Sequence, residues 1–154
     1  MGTGKTTIAK SLAEITSMKY ISTDEIIEKK EGIPISEIFE TKGKPYFRNV
    51  EKEAVTQVSK MDGVVIDAGG GVVLNPENIA NLKEKGVVVS LWAEPKDIFE
   101  RTKRYTHRPL LNVNNPLKKI KELLQLIKTE KIERGIPYRE LNSSGMLKPL
   151  PEER

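Results

Sequence analysis

Gly2-Thr3-Gly4-Lys5-Thr6-Thr7 runs straight into Ile8-Ala9-Lys10-Ser11-Leu12-Ala13-Glu14-Ile15, and this junction decides the fold. The hexapeptide reads as the second half of the phosphate-binding pattern G-x-x-x-x-G-K-[ST]. Glycines let successive backbone N–H groups wrap a phosphate without interference from Cβ atoms. Lys5 is placed to reach the β- and γ-phosphates, and Thr6 offers a hydroxyl to Mg²⁺. The helix expected over Lys5 to Ser17 points its positive end at the same phosphates. Its apolar stripe is read as Ile8, Leu12 and Ile15, with Ala9 and Ala13 beside them. An ordinary Gly-rich turn capping a helix is the alternative.

Working outward, apolar strands alternate with amphipathic helices. Lys19-Tyr20-Ile21 reads as a strand, and Ser22-Thr23-Asp24-Glu25 as a capping box opening a helix that stops near Gly32. Pro34 to Thr41 and Tyr46 to Met61 read as helices, the second with Phe47, Val50, Ala54, Val58 and Met61 on one face. Val64-Val65-Ile66 is a buried strand followed by Gly69-Gly70-Gly71. Pro76 to Lys85 is a helix closed by Gly86. Val87 to Leu91 is a second clear buried strand. Helices follow over Pro95 to Lys103 and Pro116 to about Arg134, the latter with Leu117, Ile120, Leu123, Leu124 and Ile127 as its stripe. The intervening Tyr105 to Asn115 is aperiodic. The tail after Gly135 carries no strand or helix signal. This alternation predicts an α/β fold with a parallel sheet.

Composition sets the outer limits. The 154 residues suit a single domain over 1–154 and a buried core. Lys and Arg number 26 against 22 Asp and Glu, a formal charge of +4 too small to argue for a polyanionic partner. The Lys residues at 118, 119, 121, 128 and 131 alternate with Glu122, Glu130 and Glu133, the pattern of a solvated helix face rather than a nucleic-acid stripe. The sequence has no Cys, which excludes a disulfide scaffold and a thiolate metal site within it. No apolar run reaches the ~20 residues of a membrane span. No secretory signal pattern is visible. The expected location is the cytoplasm, with no membrane or nucleic-acid partner.

Several side chains outside the phosphate loop carry chemistry in more than one reading. Asp24 lies at a strand end, where α/β folds line their ligand crevice. It suits a substrate hydroxyl, and equally suits the first turn of a helix. Arg48 and Glu51 form either a planar carboxylate clamp or a surface i, i+3 ion pair. Gly69, Gly70 and Gly71 indicate either close approach of backbone to a ligand or a flexible turn. His107-Arg108-Pro109 falls in the aperiodic stretch, where a closing lid over ATP places an Arg at its tip.

The order of these segments is more specific than any one of them. Gly2 to Thr7 comes first, then Thr23-Asp24-Glu25-Ile26-Ile27-Glu28. Next is Ile35-x-Glu37-Ile38-Phe39-Glu40-x-x-Gly43-x-x-x-Phe47-Arg48-x-x-Glu51, followed by Gly69-Gly70-Gly71-Val72-Val73 and Arg108-Pro109-Leu110-Leu111. From Met1 to about Leu126 the chain resembles the shikimate kinase family. The resemblance implies a P-loop three-layer sandwich with a parallel sheet of strand order 2-3-1-4-5. It implies ATP-dependent phosphorylation of the 3-hydroxyl of shikimate on the route to chorismate and aromatic amino acids, with Mg²⁺. Residue by residue, Gly2, Thr3, Gly4, Lys5, Thr6 and Thr7 match the phosphate loop, with Thr6 the metal ligand. Asp24 matches a substrate-binding carboxylate and candidate base. Arg48 matches a carboxylate clamp with Glu51 orienting it. Gly69, Gly70 and Gly71 match a substrate-contacting turn, Arg108 the lid Arg over the phosphates, and Arg101 an Arg near the adenine. Lys5, Asp24 and Arg108 are the expected catalytic residues. The expected partner is the small substrate, and the chain is expected to act as a monomer.

The sequence also departs from the family pattern. The family's first, central strand falls ahead of Met1, so an in-frame strand ending in Gly is expected upstream. The family has Asp-x-Asp where this chain has Ser22-Thr23-Asp24, which implies weaker or more water-mediated metal binding. Arg134-Gly135-Ile136-Pro137-Tyr138-Arg139-Glu140 is the nearest text to Arg-x-Pro-x-Tyr-x-Glu, so Arg134 is carried over as a second carboxylate ligand. The segment 141–154 matches nothing in the family, and the last strand is expected to be absent. The lid is expected over about 103–115. Two other readings remain open, a nucleotide-binding remnant of this family and a related small-molecule kinase.

Overall fold

In the computed structural model the described residues are 2–102, 115–133 and 138–140, with side chains through residue 126. They fall into two compact units, Thr6–Val88 on one side and Met1–Lys5 with Val89–Arg154 on the other.

In the first unit, α1 (Lys5–Thr16) leads to β1 (Lys19–Ser22), α2 (Thr23–Glu31), α3 (Ile35–Thr41), α4 (Gly43–Val58), β2 (Val64–Asp67), a 3-10 turn at Val72–Leu74 and α5 (Pro76–Lys85). The local signals act as their chemistry predicts. The Ser22 side chain accepts the Glu25 N–H at 3.3 Å and caps α2. Gly32 ends that helix at φ 72°, a left-handed conformation that suits glycine. Asn75 caps α5 by accepting the Glu77 N–H at 3.0 Å, with Pro76 at the first helical position. β1 and β2 pair in parallel, with Lys19 opposite Val64 and Ser22 opposite Asp67. A parallel pair needs a long crossover, supplied here by α2, α3 and α4. These three helices enclose Ile27, Ile38, Phe47, Val50 and Ala54, with Phe39 and Phe47 rings 4.5 Å apart. Val55, on another face of α4, packs with Val72 and Leu82.

In the second unit, β3 (Ser90–Trp92), α6 (Pro95–Thr102), α7 (Pro116–Glu133) and β4 (Tyr138–Glu140) follow in order. β3 and β4 pair in parallel, Ser90 opposite Tyr138. Ala93, Ile98, Ile120 and Leu124 form the core, covered by Trp92 and Phe99. The β1–β2 and β3–β4 pairs form two separate two-stranded sheets, one in each unit. Among the described residues no helix is long and apolar enough to cross a membrane.

Three expectations are corrected. On α1 the buried positions are Ala9 and Ala13, whereas Leu12 is 46% and Ile15 83% exposed. The helix therefore buries its small side chains, which allow close approach, rather than its large ones. Strand Val87 to Leu91 shrinks to Ser90–Trp92, and Val87 and Val89 lie exposed. A strand extends only where a neighbour takes its hydrogen bonds, and β4 supplies three residues. That same β4 lies in the tail that shows no strand signal, so β3 has the parallel neighbour that was expected to be missing. The lid region, Arg108 and Arg134 lie outside the described residues, as does 141–154.

Ile27 is fully buried in its cluster. Ile27→Ala is expected to cost about 2–5 kcal/mol in urea unfolding. Ile15→Ala, at the exposed site, is expected to stay within about 0.5 kcal/mol of the parent. Equal costs would refute the burial pattern of α1.

Candidate functional site

Parallel pairing puts the C-terminal ends of β1 and β2 side by side, and the chain leaves both ends into functional segments. β1 runs into Thr23 and Asp24 at the start of α2. β2 runs into Asp67, Ala68 and the three glycines. Thr23 ties the two ends together. Its side chain is fully buried, its hydroxyl accepts the Gly69 N–H at 3.1 Å, and it reaches the Asp67 carbonyl at 3.5 Å.

The glycine turn then closes on three charged side chains. A Cβ on Gly69 would lie 3.0 Å from Asp24 Oδ1 and 3.2 Å from Glu51 Oε1. One on Gly71 would lie 2.5 Å from both terminal nitrogens of Arg48. Gly71 has φ −94°, so a side chain there would meet no backbone strain but would have to displace the Arg48 guanidinium. Gly70 is exposed at the tip of the turn. The following 3-10 turn is pinned by buried Asn78, which donates to the Val72 carbonyl at 3.3 Å. At Gly69 and Gly71 the backbone approaches charged side chains of the chain itself.

Helix α4 presents Arg48 and Glu51 one turn apart. Arg48 Nη1 donates to Glu51 Oε2 at 2.5 Å. The pair is no exposed surface bridge, because the Glu51 side chain is 2% and that of Arg48 28% accessible. Arg48 Nε is buried and has no hydrogen-bond partner among the described residues. Burial raises the Glu51 carboxyl above the ordinary value of 4.5. The hydrogen bond and charge of Arg48 oppose that rise, and the charge of Asp24 adds to it. Asp24, Arg48, Glu51, Gly69 and Gly71 therefore lie in one cluster.

Sequence reasoning missed Asp67. It accepts a hydrogen bond from the Thr6 hydroxyl at 2.6 Å and another from the Tyr20 phenol at 3.2 Å. Burial first, and then the charge of Asp67, hold that phenol above its ordinary pKa, so it stays a donor. The available signal was an acidic residue at the C-terminal end of an apolar strand, just before the glycines.

In the other unit, Gly2 packs against α6. Its φ is +62°, and a Cβ there would lie 2.8 Å from Thr102 Cγ2 and 3.1 Å from Ile98 Cγ2. Arg101 donates to the Gly2 carbonyl at 3.4 Å, which joins a predicted nucleotide-side residue to the loop. Thr3 is buried, and Gly4 has φ +87°. These are the conformations that a loop of inward-turned N–H groups demands. Lys5 and Thr7 occupy the first turn of α1, with Thr7 exposed.

Glu51 titrates higher in the folded than in the unfolded chain. Its contribution to stability is therefore complete below about pH 4.5 and is lost as pH rises through the raised value. The stability of the parent relative to Glu51→Gln is expected to fall steadily as pH is raised from about 4 to 8. Urea midpoints across that range check it, and a difference that grows with pH would refute the assignment.

Comparison with known proteins gives the family. The family model described as "SKI: Shikimate kinase" matches residues 1–142. A shikimate kinase of Caldanaerobacter subterraneus subsp. tengcongensis is 46% identical over 125 residues, covering 81% of this chain and 73% of that protein. One of Nitrosococcus oceani is 40% identical over 141 residues, covering 92% of this chain and 70% of that protein. Among solved structures, the shikimate kinase of Acinetobacter baumannii in complex with shikimate superposes with a TM-score of 0.85 at 34% identity, covering 92% of this chain and 78% of that one. That of Aquifex aeolicus gives 0.76 at 32% identity, covering 97% and 84%. With the glycine turn packed on Arg48, Glu51 and Asp24, and with a family match over most of its length, the chain belongs to the shikimate kinase family.

Proposed function

We propose that the chain transfers the γ-phosphoryl group of ATP to the 3-hydroxyl of shikimate, in the biosynthesis of chorismate and aromatic amino acids. The observation that carries this reading is Arg48. Its guanidinium is held from one side by buried Glu51 and covered by Gly71, and its Nε is a buried donor with no partner among the described residues. A buried unpaired donor is costly, and a substrate carboxylate would relieve that cost while neutralising the charge. Shikimate carries one carboxylate and three hydroxyls. Asp24, close to Gly69 and Glu51, suits those hydroxyls as hydrogen-bond acceptor and as base for the attacking one.

The remaining roles follow the chemistry of phosphoryl transfer, which consists of positioning and charge neutralisation. Gly2 to Thr7 cradle the phosphates through backbone N–H groups and Lys5. On the resemblance, Arg101 is proposed as an adenine-side residue, Arg108 as a contact to the phosphates and Arg134 as a second carboxylate ligand. The Thr6 hydroxyl and the carboxylate beside it are hard oxygens, the type Mg²⁺ takes, and Thr6 is the residue proposed to hold it. When bound, Mg²⁺ neutralises charge on the β- and γ-phosphates. We take residues 1–154 as one kinase domain, acting as a monomer in the cytoplasm without nucleic-acid or membrane partners.

A coupled ATP-consumption assay tests the activity, and ATP turnover that requires shikimate is the expected result. Turnover with gluconate or a nucleoside monophosphate instead, or ATP binding without turnover, would overturn it. Arg48→Ala is expected to lower kcat/KM for shikimate by about 2–5 kcal/mol with the KM for ATP little changed. Gly71→Ala, whose methyl group displaces Arg48, is expected to act in the same direction. Unchanged shikimate kinetics in both variants would refute the carboxylate clamp.

A further inference from the structure

Thr23 stands between Ser22, which caps α2, and Asp24, and the chemistry proposed above gives it no task. Its side chain is nonetheless fully buried. A buried hydroxyl needs hydrogen-bond partners, and the two that it has among the described residues belong to the chain leaving β2. It accepts the Gly69 N–H at 3.1 Å and donates to the Asp67 carbonyl at the long distance of 3.5 Å. These partners lie 46 and 44 residues further along the chain, so the contact is a tertiary one and not a local cap.

The hydroxyl acts where the β1–β2 ladder stops. Registered pairing ends with Ser22 opposite Asp67. Beyond it the two chains part, one into α2 and the other into the glycine turn, and the Thr23 hydroxyl bonds across the gap. Asp24 follows Thr23 directly, and a Cβ on Gly69 would lie only 3.0 Å from Asp24 Oδ1. One buried hydroxyl thus sets the spacing between the carboxylate and the near end of the turn. The far end is held separately, because Asn78 bonds the Val72 carbonyl beside Gly71, and Gly71 covers Arg48. We infer that Thr23 is a positioning residue for phosphoryl transfer. By fixing Gly69 against the end of β1 it aligns Asp24 with the attacking hydroxyl, while the carboxylate clamp is held from the other end of the turn.

This role rests on the proposed phosphorylation of shikimate, and the test separates the two. Thr23→Val keeps the shape of the side chain and removes both hydrogen bonds, whereas Thr23→Ser keeps the hydroxyl. Circular dichroism and urea midpoints establish which variants are folded at the assay temperature. In folded Thr23→Val, kcat is expected to fall about 10–100-fold, the scale of a small misplacement of reacting groups, with KM for shikimate and for ATP within about threefold of the parent. Thr23→Ser is expected to keep kcat within about threefold. A role in packing alone would leave kcat of the folded Val variant unchanged. Should Thr23→Val fail to fold, Thr23→Ala removes the same hydroxyl and carries the same expectation. The parent gives a reading without any substitution, since its Gly69 amide is expected to exchange with solvent about tenfold or more slower than in an unstructured peptide, as followed by NMR. Parental kcat in folded Thr23→Val or Thr23→Ala, an equal loss in Thr23→Ser, or an unprotected Gly69 amide would overturn the positioning role alone. Absence of shikimate-dependent turnover in the parent would overturn the proposed function and this role together.

Discussion

The candidate site depends on the approach of the Gly69–Gly71 turn to Asp24, Arg48 and Glu51. Backbone can come this close to three charged side chains only where no Cβ intervenes. Everything around the turn serves that approach. The β1–β2 ladder sets where the turn begins, the Thr23 hydroxyl holds the Gly69 amide, and Asn78 holds the carbonyl of Val72 just beyond. Helix α4 brings up Arg48 and Glu51 from below. It is fixed there by Phe47, Val50 and Ala54 on one face and by Val55 on another.

The electrostatics follow from the same packing. Glu51 is almost wholly removed from water, so its charge is tolerated only because Arg48 is bonded to it. Arg48 in turn is steered by a buried partner rather than by solvent, which orders its guanidinium before substrate arrives. Such ordering lowers the entropic cost of binding a carboxylate. If Arg48 clamps the substrate as proposed, substrate recognition and core packing depend on the same helix.

The legible parts of the fold were those set by neighbouring residues. The Ser22 cap, the Gly32 stop and the Asn75–Pro76 start each depend on a few adjacent positions, and each forms as its text implies. Periodicity on α4 identified Phe47, Val50, Ala54 and Val58 as buried, whereas Met61 lies past the end of the helix and is 39% exposed. The same reading failed on α1. Leu12 and Ile15 have the right spacing, but spacing does not say whether anything covers them. Val87 to Val89 failed for a related reason, since apolar β-branched residues become a strand only beside a partner. Tyr138–Glu140 is the converse, a strand with little intrinsic signal that β3 recruits by pairing.

The sequence alone determined the phosphate-loop motif, the alternation of strands and helices and, through the order of its motifs, the resemblance to a family. That resemblance also singled out Asp24, Arg48, Glu51 and the three glycines, which residue type and spacing left between two readings each. Only the tertiary structure chose between their alternative readings. It showed Glu51 buried and paired with a partly buried Arg48, placed two of the glycines against charged side chains, and set Asp67 against Thr6. The reason is physical. Burial and cross-strand register are relations between residues far apart in the chain, and Thr6 and Asp67 meet only because parallel pairing places strand ends together.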